Sequence, residues 1–135
     1  MGPINWLAVV LGAVAFFAVG AVWYSFVCSK AWRKESGISE DQMEGVGLPK
    51  LLVSAFLLEL VVSAMFGHLL ARTAPPPHVV MMMAFGFGAT IMTPAIGIHY
   101  LFLRKSLKLF LIDAAHLVLG TLAMGAVFVA LGSYS

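Results

Sequence analysis

Residues 4–27 read INWLAVVLGAVAFFAVGAVWYSFV, with no charged side chain anywhere in the run. This exceeds the roughly 20 residues a helix needs to cross a hydrocarbon core of about 30 Å. Its apolar positions are continuous and do not alternate with polar ones, which selects a helix over a barrel strand. Residues 51–71, 79–103 and 109–132 read the same way. A bilayer offers the backbone no water, so each spanning segment must satisfy its own hydrogen bonds. The expected fold class is therefore all-α: an integral membrane four-helix transmembrane bundle. Residues 1–135 form a single transmembrane domain, and loop 28–50 is its one sizeable soluble segment.

Composition agrees. Of 135 residues, 61% are hydrophobic and 10% charged, with a mean hydropathy of +1.00. An ordinary soluble domain carries about 25% charged residues, and a small one buries only about two-thirds of its unfolded surface. The surplus apolar surface calls for lipid as the main partner. Residues 4–27 are not expected to be a cleaved signal, because nothing positive precedes them and the apolar run is about twice a signal core. The lone Cys28 excludes an internal disulfide and a cysteine-rich metal site. No Ser-His-Asp arrangement, phosphate-cradling glycine loop or basic aromatic patch is present. The expectations are no enzyme, no cofactor and no nucleic-acid partner.

The basic residues set an orientation. Lys30, Arg33, Lys34 and Lys50 lie between the first two spans, and Arg104, Lys105 and Lys108 between the last two; only Arg72 lies in the second loop. Basic residues favour the cytoplasmic side. The chain is thus expected in the inner (plasma) membrane, multi-pass, with both termini outside. Trp6 on one side and Trp23, Tyr24 and Trp32 on the other suit aromatic belts. In loop 28–50, Ser39 and Gln42 read as a capping box, Gly45 and Gly47 as stops, and Pro49 as a first-turn residue. The loop after Lys105 is short enough to make the last two spans an antiparallel hairpin.

Small residues recur within the spans. Gly12, Phe16, Gly20 and Tyr24 form one i+4 row, and glycines there permit close helix approach in lipid. Pro94 removes one hydrogen bond from the third span and should kink it, with Thr90 or Thr93 available to the freed carbonyl.

The intramembrane polar residues are the candidates for function. At about 1.5 Å per residue, His99 and Asp113 each lie about 6 Å from the cytoplasmic helix ends, His116 about 10 Å and Glu59 about 12 Å. Asp113 and His116, at i and i+3, share a helix face. An ionised side chain at the bilayer centre costs about 2.5–3.5 kcal/mol or more, so such groups face protein or water and pair, or else stay neutral. Two layers are expected: His99 with Asp113, and His116 with Glu59; as a mere staple, Asp113 could join the last two spans through His99 or Tyr100. Each residue also has a purely structural role open to it, as a staple between helices. Functional alternatives are a proton or ion pathway over Glu59, His99, Asp113 and His116, or a metal held in the bundle core. The metal reading is weak, since only a D-x-x-H spacing is present and no metal is expected. His78 with Met81, Met82 and Met83 could suggest copper, but methionine also fills packing gaps.

INWLAVVLGAVAFFAVGAVWYS followed by KAWRKESGISE resembles the start of a bacterial family of small multi-span membrane proteins, catalogued as a domain of unknown function. LFLIDAAHLVLGTLAMGAVFVALG resembles its final span. Trp23–Ser25 and Lys30–Trp32 carry most of the likeness, which is weakest over 46–80. Family members often place proline where this chain has Phe26 and asparagine where it has Asp113. The resemblance implies a four-helix membrane protein and no activity. Small multidrug exporters are an analogy only, because their key glutamate is in the first span. Since four helices enclose little space, an oligomeric proton-linked or small-solute pathway, as a homo-oligomer, is the first reading. A non-transporting accessory bundle is the second.

Overall fold

The computed structural model describes residues 3–38, 42 and 47–132. Helix α1 (Trp6–Val22) continues into a π-helical turn, π1 (Trp23–Val27), and after Cys28 into a short helix α2 (Ser29–Ser36). Helix α3 covers Leu48–Thr73. The third span is composite: α4 (Pro77–Gly86), π2 (Phe87–Met92) and α5 (Thr93–Phe102). Helix α6 (Leu107–Ala130) completes the bundle. Four helical segments are long and apolar enough to cross a membrane: Trp6–Val27, Leu48–Thr73, Pro77–Phe102 and Leu107–Ala130. No strand occurs among the described residues.

Local chemistry explains the boundaries. The Asn5 side chain accepts from the Ala8 N–H at 3.1 Å, and the Ser106 hydroxyl accepts from the Leu109 N–H at 3.1 Å, so α1 and α6 both start on a side-chain cap. Gly37 (φ +75°) ends α2 in the left-handed conformation that a Cβ disfavours. Pro49 sits in the first turn of α3. Ser39 and Gly45 lie outside the described residues.

Helix α6 is the centre of the bundle. Of its apolar window 44% lies inside the protein, against 17% for α3 and for the third span. It packs against α1 on one side and against α4, π2 and α5 on the other, while α3 leans mainly on α1. Glycines set the closest approaches. A Cβ at Gly88 would stand 2.5 Å from Thr121 Oγ1, and one at Gly120 would stand 2.6 Å from the Phe16 ring. At Gly12 it would meet Ser63 Oγ at 2.8 Å.

Packing is uneven along the bundle. Val9, Phe16, Phe66, Leu70, Val80, Met124 and Phe128 form a fully enclosed core in the half nearest the start of α1. There Phe66 meets Phe87 and Phe128 edge-on, each at 5.2 Å, and Ser63 donates to the Val9 carbonyl at 2.7 Å. Toward the other end the spans part, and that is where the polar residues gather.

Candidate functional site

A cavity of about 920 Å³ occupies the loose half of the bundle. Each span contributes to its wall: Gly20 and Tyr24 from the first, Leu52, Ala55 and Glu59 from α3, Tyr100 from α5, and Asp113 and His116 from α6. Ser29, Trp32 and Arg33 of α2 line it as well, and Arg33 is exposed, so the cavity reaches the surface on that side. Helix α2 is held there by loop contacts. Ser106 Oγ donates to Glu35 Oε2 at 2.6 Å, and Lys105 Nζ to the Ser36 carbonyl at 3.4 Å.

Asp113 is buried, at 7% exposure, and fully engaged. The Tyr24 hydroxyl donates to its Oδ1 and the Tyr100 hydroxyl to its Oδ2. One residue earlier on α6, the Ile112 carbonyl accepts from Trp23 Nε1 at 3.0 Å. Trp23 and Tyr24 lie in π1, whose wider turn lets two adjacent side chains reach two adjacent residues of α6. Single π turns inside α-helices often mark functional places. Two hydroxyl donors thereby hold the Asp113 carboxyl group.

His116 is held by shape. Phe16 meets its ring edge-on at 5.6 Å and Tyr24 at 4.9 Å. It fits because position 20 is glycine: a Cβ there would stand 2.9 Å from His116 Nε2. That Nε2 atom is buried with no hydrogen-bond partner among the described residues, and the same holds for Glu59 Oε2 and Thr93 Oγ1. Two of these three atoms, on Glu59 and His116, belong to residues that line the cavity.

Of the four pathway candidates, the structure brings Glu59, Asp113 and His116 to one cavity and leaves His99 outside it. His99 is exposed on α5, and the layer pairing His99 with Asp113 is replaced by Tyr24 and Tyr100. Adjacent helix positions point about 100° apart, so turning Tyr100 toward α6 turns His99 away. Glu59 and His116 share the cavity, yet neither donates to the other. Trp23, Tyr24 and Trp32, expected as an aromatic belt, instead face the protein, with Trp32 edge-on to Tyr24 at 5.8 Å. Their signal in the sequence was the W-Y-S and K-A-W elements that carried the family likeness.

Two further expectations resolve locally. The third span carries π2 just before Pro94, and Thr90 Oγ1 donates to the Gly86 carbonyl at 2.6 Å, a turn away from the carbonyl that Pro94 frees, while Thr93 Oγ1 has no hydrogen-bond partner among the described residues. No group of three or more His, Cys, Asp or Glu converges as a metal site among the described residues. The methionines near His78 diverge: Met83 packs on the core, Met81 sulfur approaches the Gly125 position, and Met82 is exposed.

A family model described as a protein of unknown function, DUF1761, matches residues 7–129. The chain belongs to the DUF1761 family. The match reaches all four spans, short of the first and last of them by one residue each, and includes every residue of the cavity wall named above. No curated protein and no solved structure matches the chain. The DUF1761 assignment itself carries no activity, so the cavity must be read from its own chemistry.

Proposed function

We propose that this DUF1761 protein is a multi-pass protein of the inner membrane that admits a small solute or proton into its cavity from the cytoplasmic side. The carrying observation is the cavity of about 920 Å³ in which Glu59 Oε2 and His116 Nε2 have no hydrogen-bond partner among the described residues. Buried polar atoms left unpaired cost about 1–3 kcal/mol each, which favours a role in meeting something that enters. Glu59 and His116 are the groups a solute or proton meets, and Asp113 with its tyrosines fixes the wall around them. The enclosed aromatic core closes the opposite half, so passage requires rearrangement or a second protomer. Helix α3 leans mainly on α1 and exposes Leu58, Val61 and Met65, which supports a homo-oligomer; His99 would take part only across such a contact. Lys30, Arg33, Lys34, Lys50, Arg104, Lys105 and Lys108 cluster at the mouth end, which supports placing the mouth in the cytoplasm and both termini outside. The reading assigns no enzymatic step and no cofactor.

A second reading rests on Asp113. Its two tyrosine bonds and the Trp23–Ile112 bond tie three spans together, as an accessory subunit built only for stability would need. Proton and small-cation flux into proteoliposomes separates the two. We expect flux in the wild type that falls at least about tenfold, or 1.4 kcal/mol, in Glu59→Gln and His116→Ala with unchanged melting temperature. A wild type without flux, or variants that conduct normally, would return the protein to the second reading.

A further inference from the structure

We infer that the cavity takes an organic cation with an apolar body, and that Glu59 is its counter-charge; the inference rests on the reading of the cavity as a solute site. Size comes first. Inorganic cations need a close ring of oxygens at about 2–2.6 Å, whereas a cavity of about 920 Å³ matches the range of about 300–1,000 Å³ that holds drug-sized molecules. Charge comes second. The wall carries two carboxylates, and Asp113 is already occupied by the Tyr24 and Tyr100 hydroxyls. Glu59 is left with an oxygen that no group among the described residues satisfies. An anion would face both acidic side chains, and a neutral donor could hydrogen-bond Glu59 without offsetting its charge. Of the two basic side chains that line the cavity among the described residues, His116 is packed edge-on against Phe16 and Tyr24, and Arg33 is exposed on α2, while Glu59 lies about 16 Å up α3 from Leu48 by helical rise.

Surface chemistry comes third. Phe17, Tyr24, Trp32 and Tyr100 all line the cavity, and aromatic faces attract cations. The tyrosine hydroxyls are turned to Asp113, so the rings and not the hydroxyls serve the guest. The Leu48–Thr73 helix α3 leans mainly on α1, so the cavity wall between α3 and α5 is lightly packed.

The test uses the full chain in detergent micelles with two ions of the same shape and opposite charge, tetraphenylphosphonium and tetraphenylborate, read by titration of tryptophan emission and by equilibrium dialysis. Ala55→Trp, which projects an indole into the cavity beside Glu59 and is read by equilibrium dialysis alone, measures partition into the micelle. We expect saturable phosphonium binding that Ala55→Trp abolishes, that Glu59→Gln weakens at least about tenfold, and that Glu59→Asp largely retains. Phosphonium binding indifferent to Glu59→Gln, or borate bound equally well, overturns the cation inference while leaving a solute cavity in place. Neither ion binding above the Ala55→Trp background overturns the inference and removes support from the solute reading together. If Glu59→Gln does not fold, the contrast between the two ions in the wild type decides.

Discussion

A single methyl group measures how closely the site is built. At Gly20 it would stand 2.9 Å from His116 Nε2, and crowding of this kind in a packed interior costs about 1–3 kcal/mol. Gly20→Ala should therefore lower the thermal unfolding temperature in detergent, and His116→Ala should relieve most of that loss. Strict additivity of the two changes would mean they do not touch. Asp113→Ala leaves two tyrosine hydroxyls without an acceptor and should cost about 2–4 kcal/mol. Asp113→Asn keeps one carbonyl oxygen and offers an N–H₂ that a tyrosine oxygen can accept, so it should cost about 1 kcal/mol. That tolerance fits the asparagine that the family resemblance places there. At this scale the sequence showed depth and not rotation. Counting 1.5 Å per residue brings His99 and Tyr100 equally near the level of Asp113. Which of two neighbours faces α6 depends on packing that no count along one helix contains.

At the scale of elements, the two π turns are the features least visible in the sequence. An apolar run has the same composition whether its bonds close at i+4 or i+5, so π1 and π2 leave no periodic mark. Pro94 did announce irregularity in the third span, and π2 ends just before it. Helix α2 was hidden differently: KAWRKES is too short and too charged to stand out from a loop, and it is helical where Trp32 can pack on Tyr24. Its anchor is Ser106, which caps α6 and also donates to Glu35. Ser106→Ala removes both bonds and should cost about 1–2 kcal/mol in thermal unfolding, with faster proteolysis within α2. Glu35→Gln keeps an acceptor for the hydroxyl and should cost clearly less. Equal losses would show that the cap is not what Ser106 contributes.

The whole molecule joins a dry half to an open half. The four spans were legible because bilayer thickness sets their length, and the bundle class followed from backbone hydrogen bonding alone. The cavity was not legible, because it lies where α3, leaning mainly on α1, parts from the rest of the bundle, and glycine rows specify where helices meet but not where they part. Truncation should report the difference. Phe128→Ala, in the enclosed core, should cost about 3–5 kcal/mol. Leu52→Ala, on the cavity wall and 42% exposed, should stay within about 0.5 kcal/mol.

The central claim is that water reaches Glu59 from the basic-loop side and from nowhere else. Cysteine labelling in proteoliposomes tests it directly, with a membrane-impermeant maleimide applied to one face at a time and Cys28→Ala as background. Ala55→Cys, on the cavity wall, should react only from the face carrying Lys30 and Lys105. Ser63→Cys, at a position that is fully buried, and Leu58→Cys, at one turned outward from the bundle, should not react from either face. Labelling of Ala55→Cys from the opposite face, or of Ser63→Cys as readily as Ala55→Cys, would contradict a one-sided cavity and the function proposed for it.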